Sequence, residues 1–198
     1  MKFILSLICW ILFCFPLLAQ DEWKLEREET NIQVFTRKIP GEPLKEFKAQ
    51  MEAPVPPEQI LALLLDWKSN PTWTDRCSKT ELVEQLSAQH LILHSFIETP
   101  WPVSDRDMVF SFEVTRKEPA IICNMIGLPD RLPPTDKLVR ITNYRGEWRL
   151  TPLENGKTQI VLQSLVDPGG SIPDWLANSS VVDSPFATMK NLSQLLVP

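Results

Sequence analysis

The residues with the most chemical potential are Asp105, Arg106 and Asp107, inside the stretch Glu98 to Val114, ETPWPVSDRDMVFSFEV. Arg106 carries a planar fork of donors that suits bidentate contact with a carboxylate or a bound oxyanion. The simpler reading is a local ion pair with its two neighbours in a stiff loop. Pro100 and Pro102 fix their own φ and push Thr99 and Trp101 toward extended backbone, so the triplet follows a rigid corner. Two carboxylates used for acid–base work need environments that separate their acidities. An arginine between Asp105 and Asp107 instead keeps both ionised.

Other constellations carry less. His90 and His94 are the two histidines; on a strand they share a face but stand roughly 13 Å apart, too far to hold one ion between short ligands. They read as edge or partly buried polar residues. Ser104 lacks a Gly-x-Ser-x-Gly elbow, Cys77 has no evident histidine partner, and no glycine-rich phosphate loop occurs. No catalytic residue, metal or cofactor is expected. Cys77 and Cys123 are too far apart for a CxxC pair; they form one disulfide in an oxidising compartment or remain two buried thiols. A net charge of −5, with no basic stripe, argues against nucleic acid and against general attraction to anionic membranes.

The elements that must position these residues follow from periodicity. Asp21 to Glu29 places Trp23 and Leu25 at alternating positions. Asn31 to Ile39 alternates, Pro40-Gly41 signals a turn, and Leu44 to Met51 continues as a strand. Pro54 to Lys68 changes to helical spacing, with Pro57 at the start and Ile60, Leu61, Leu63, Leu64, Leu65 and Trp67 apolar. Trp73 reads as a loop residue with a buried ring. Strand-like runs then cover Thr80 to Leu86, His90 to Ile97, Met108 to Thr115, Ala120 to Ile126, Leu138 to Tyr144, Trp148 to Leu153 and Thr158 to Val166. A turn is expected at Asn143 to Gly146, and Asn155-Gly156 is a strong hairpin signal. Met108, Phe110, Phe112 and Val114 give one strand a wholly apolar face. Pro173 to Leu196 is helical again, capped by Asp174, with Trp175, Val182, Phe186, Met189, Leu192 and Leu196 at three- and four-residue spacing. Pro185 should break or kink it near Ser184. The sum is α+β: one antiparallel sheet gripping a long C-terminal helix.

Residues 1–19 hold one basic residue, no acid and an apolar run from Phe3 to Phe15, and read as a signal peptide. An uncleaved anchor would need about 20 apolar residues. Residues 21–198 then form one exported domain, periplasmic or secreted. The sequons at Asn178 and Asn191 fall in the helical tail and carry little weight.

In combination, the Asn70-x-x-Trp73 turn, TPWPVSDRD leading into a strand, Gly146-x-Trp148 and PGGSIPDWLAN opening the last helix resemble the StAR-related lipid-transfer (START) domains, bacterial exported type, of the Bet v 1-like superfamily. The resemblance covers nearly all of residues 21–198. It implies the helix-grip fold, in which a curved sheet and the C-terminal helix enclose an apolar cavity. The implied function is binding of one lipid or other hydrophobic molecule, for transfer or sensing, by a non-enzymatic monomer that touches membranes transiently. The alternative within the superfamily is a polyketide cyclase or aromatase. By the same resemblance Arg106, held by Asp105 or Asp107, anchors the ligand's polar end. Trp67, Trp73, Trp101, Phe110, Phe112, Trp148, Trp175, Phe186 and Met189 would contact its apolar body.

Overall fold

The computed structural model describes residues 22–41, 44–170, 172, 176–177 and 181–196. The signal-like residues 1–19, Asp174, Trp175 and the Asn178 sequon lie outside them.

The chain opens with the expected meander, β1 (Lys24–Glu29), β2 (Ile32–Lys38) and β3 (Lys45–Ala53). Helix α1 (Pro57–Leu65) follows, with Pro57 in its first turn, where a missing N–H costs nothing, and Glu58 beside the positive end of its dipole. It stops when the Asp66 N–H bonds back to Ala62 and Leu63. Ile60, Leu61 and Leu64 bury its inner stripe. A short turn (Trp67–Ser69) leads into α2 (Asn70–Trp73), so Trp73 ends a helical turn rather than sitting in a loop.

Next come β4 (Cys77–Ser87), β5 (His90–Ile97), β6 (Arg106–Lys117), β7 (Ala120–Gly127), β8 (Val139–Arg140), β9 (Asn143–Pro152) and β10 (Thr158–Asp167), and then helix α3 (Asp183–Leu195). The expected turn at Asn143 to Gly146 is instead the first part of β9. Glycine serves there as a space, not a bend: a Cβ on Gly146 would come within 2.9 Å of the Met125 methyl and 3.3 Å of Ser164 Oγ. Asn155-Gly156 does turn the β9–β10 hairpin, with Gly156 at φ 76°.

Among the described residues the sheet runs β1-β2-β3-β10-β9-β7-β6-β5-β4, with antiparallel neighbours throughout. β7 pairs with β6 only from Phe110 onward. Beside the start of β6 the vacant backbone positions are taken by β8, which lies parallel, its Val139 and Ile141 N–H groups bonding the Asp105 and Asp107 carbonyls at 2.9 Å. Residues 128–141 thereby form a strap along the start of β6, from which Thr135 and Arg140 reach Asp107.

The core lies on the inner face of the sheet, against α1 and α3, and includes Val34, Ala49, Ile60, Leu93, Leu150, Ile160, Met189 and Leu192. Pro185 sits in the first turn of α3, where it costs no intrahelical bond. The irregularity expected near Ser184 falls at Val182, whose φ of −124° is not helical.

Candidate functional site

Alternation along β6 sends Arg106, Met108, Phe110 and Phe112 to the inner face and Asp107 and Val109 to the outer one. The register carries this across the sheet, because Arg106 opposes Ile97, Met108 opposes Ser95 and Phe110 opposes Leu93. These side chains, with Phe47, Leu64, Trp73, Cys77, Met125, Tyr144, Trp148 and Leu162, line a cavity of about 260 Å³ between sheet and helices. Trp73 and Trp148 meet edge to face at 6.1 Å and Phe110 and Tyr144 at 5.6 Å, so rigid ring pairs brace the wall. Tyr144 donates to Met125 Sδ at 3.1 Å, and burial raises its pKa. Asn70 Oδ1, also on the wall, is buried without a protein partner.

The expected site residues separate into those the fold gathers and those it does not. Arg106, Trp73, Phe110, Phe112 and Trp148 all line the cavity. Trp67 packs against the core from outside the wall. Trp101 is 91 % exposed at the tip of the β5–β6 loop, so it is no wall residue. Phe186 and Met189 are buried, but α3 shows the cavity the neighbouring stripe of Ser184, Pro185 and Thr188. Phe186 faces β1, with the Arg27 guanidinium 3.6 Å over its ring. Helical spacing identified the buried side of α3 but could not separate two adjacent stripes on it.

Asp105 and Asp107 correct the expected triplet pairing. Asp105 caps the loop, accepting the Thr99 N–H at 2.8 Å. Asp107 is 0 % exposed on the opposite face from Arg106, because consecutive strand residues point apart. It accepts Nε and Nη2 of Arg140 at 2.9 and 2.7 Å, Thr135 Oγ1 at 2.8 Å and His94 Nε2–H at 2.8 Å. Burial opposes its charge, but these partners win and hold its pKa at about 2. Of the two readings, edge or partly buried polar residue, His94 takes the second: it is a largely buried partner of Asp107. Arg140 also donates to the carbonyls of Pro129, Leu132 and Pro133 at 2.6, 3.1 and 3.1 Å, which closes the strap.

Arg106 points inward and is 3 % exposed. Its Nη1 donates to Ser104 O, its Nε to Pro168 O at 3.3 Å and its Nη2 to Gly169 O at 3.4 Å. Burial lowers its pKa, with Asp105 opposing from a distance. Guanidinium basicity is high enough that it stays charged. Cys77 and Cys123 are free and buried. Cys77 lines the cavity beside Thr80 Oγ1 at 3.4 Å, with burial raising its pKa; burial pushes Cys123 up to about 12. Among the described residues no group of three His, Cys, Asp or Glu side chains could hold a metal ion.

The START domain family model matches residues 15–194. The chain belongs to the START domain family. It is 35 % identical over 178 residues to the uncharacterized protein PA1579 of Pseudomonas aeruginosa, covering 88 % of this chain and 86 % of that one. The solved STAR-related lipid transfer protein of Xanthomonas axonopodis superposes with a TM-score of 0.82 at 32 % identity, over 89 % of this chain and 99 % of that one. Phosphatidylcholine transfer protein of Mus musculus is 22 % identical over 82 % of this chain and 78 % of its own length. A more distant fold neighbour, the Zhui aromatase/cyclase of Streptomyces, has a TM-score of 0.56 at 13 % identity and covers 76 % of this chain and 92 % of its own. That degree of likeness speaks to the START-like fold alone. Cys77, Ser95, Tyr144 and Ile141 are START cavity residues here that sequence reasoning missed. Cys77, Ser95 and Tyr144 reach the wall through a cross-strand register that no single strand's pattern displays, and Ile141 follows β8 with its N–H on the Asp107 carbonyl.

Proposed function

We propose that this START domain binds one lipid or other hydrophobic small molecule in its internal cavity and carries or senses it. The observation that carries this reading is a mostly apolar cavity enclosed by the sheet and α3, with one buried cation, Arg106, at its rim. In a site this apolar the wall supplies affinity and the few polar groups supply orientation. Arg106 is placed to hold the polar end, while Phe110, Phe112, Trp73 and Trp148 enclose the apolar body. The names of its relatives support lipid as the cargo class.

Residues 1–19 support export, so the protein works in the periplasm or outside the cell, as a monomer. Trp101 supports a brief membrane contact: it stands exposed on a loop whose stems, Thr99 and Arg106, line the cavity. An exposed tryptophan suits the boundary between water and lipid. A cyclase reading fits less well, since no histidine lines the cavity among the described residues and the Tyr144 hydroxyl is already engaged.

Native mass spectrometry of protein purified from its own host tests the reading. A bound molecule of constant mass, released by organic extraction, is the expected result. Unliganded protein that also takes up no lipid from vesicles overturns it.

A further inference from the structure

The polar groups around the cavity divide into those the protein pairs, the Asn70 Oδ1 atom that is buried without a protein partner, and one charge without a counter-ion. Ser95 Oγ lies 3.0 Å from Thr80 Oγ1, Ser164 Oγ donates to Arg145 O at 2.9 Å, and Thr99 Oγ1 donates to Val103 O at 2.8 Å. Thr188 Oγ1 accepts the Asp75 N–H at 3.1 Å. Asp75 and Arg76, the other charged wall residues, stand 3.6 Å apart with opposite sign. Arg106 has no such partner, for among the described residues no carboxylate lies within ion-pair distance of it. The adjacent Asp105 carboxylate is held by the Thr99 N–H. Two of the Arg106 contacts, at 3.3 and 3.4 Å to backbone carbonyls, are longer than ordinary N–H···O bonds. A buried guanidinium without an anion is unfavourable, and an anion brought to its fork removes that cost.

We propose that the ligand is a single-chain amphiphile ending in an oxyanion, a carboxylate or a phosphate monoester, seated on the Arg106 fork with its chain along Met108, Phe110 and Phe112. This rests on the cavity being a ligand site. The direction follows from the register: Arg106 to Phe112 spans six strand steps, about 20 Å, and the wall turns from charged to aromatic along it. The size follows from the volume. At about 260 Å³ the cavity falls just below the roughly 300–1,000 Å³ of ordinary ligand pockets, which suits one chain rather than two. The oxyanion competes with the Pro168 and Gly169 carbonyls for the same N–H groups.

The test measures affinities of the wild-type protein for hexadecanoate, hexadecyl phosphate, methyl hexadecanoate and phosphatidylcholine, by tryptophan fluorescence or calorimetry. Hexadecanoate or hexadecyl phosphate should bind at least tenfold more tightly than the methyl ester, and the stronger of the two identifies the oxyanion. Arg106→Gln should shrink that ratio to below about threefold, and Arg106→Lys should restore part of it. Equal affinity for ester and acid, or tighter binding of phosphatidylcholine, overturns the oxyanion proposal and leaves the lipid cavity intact. Failure of all four probes to bind overturns both together. If Arg106→Gln does not fold, the wild-type ratio alone decides.

Discussion

Arg106 and Asp107 are consecutive, buried and oppositely charged, yet the two faces of β6 resolve their charges in different ways. On the outer face Asp107 accepts four hydrogen bonds from three side chains, and the segment supplying two of those side chains is itself tied down by Arg140. On the inner face Arg106 has only backbone carbonyls, two of them at long range. Burial makes an unpaired charge costly on either side. The outer face removes that cost with protein groups and gains a fixed strap. The inner face leaves it open to be removed by something that comes and goes.

The contrast can be broken from either side. Its largest expected effect is on the outer face: Asp107→Ala leaves Arg140 and His94 facing each other without their acceptor, and should cost about 3–5 kcal/mol in denaturant unfolding. Affinity for an amphiphile in the folded fraction should change less than twofold. A variant as stable as the parent would remove the distinction between the faces.

Acid should reach the same group. Asp107 has its folded pKa lowered from 3.8 to about 2, so its contribution to stability is complete above pH about 4. It is lost as pH falls from there through about 2, and amounts to about 2 kcal/mol. Unfolding curves across that range should show the loss in the parent and a flatter slope in Asp107→Asn.

On the inner face the effects reverse. Met108→Trp places a larger ring in the cavity, so it should cut amphiphile uptake at least tenfold while stability stays within about 1 kcal/mol of the parent. Unchanged uptake would mean the ligand does not run along β6. The smallest effect on folding belongs to Trp101→Ala, within about 0.5 kcal/mol. Its vesicle partitioning should nevertheless fall in a flotation assay, and undiminished partitioning would remove Trp101 from the membrane contact.

Much of this division was legible in the sequence, and the losses have identifiable causes. Period-two alternation located the apolar face of β6, and it also contained the direction of Arg106, two residues before Met108. Reading the strand as starting at Met108 hid that parity. The in-place pairing of Asp105-Arg106-Asp107 failed because adjacency in sequence becomes opposition across a strand. Asp107 finds its partners in Thr135 and Arg140, about thirty residues later, where β8 is only two residues long and leaves almost no periodic trace. Trp101 read as a wall residue because a tryptophan between prolines looks the same whether the corner turns inward or outward. For α3, apolar spacing marked the buried side, and only packing against β1 shows that Phe186 looks away from the cavity.

The joint between β3 and β10 sets the order in which this molecule can assemble. Ala53 pairs with Thr158, more than a hundred residues later in the chain. A chain emerging from the ribosome can form the β1–β3 meander and the strands from β4 to β9, but both pieces keep an open edge until β10 arrives to lie between β3 and β9. Such late, distant closure makes folding slow and leaves two unpaired edges exposed in the meantime. The sheet cannot lock until that last strand arrives between β3 and β9.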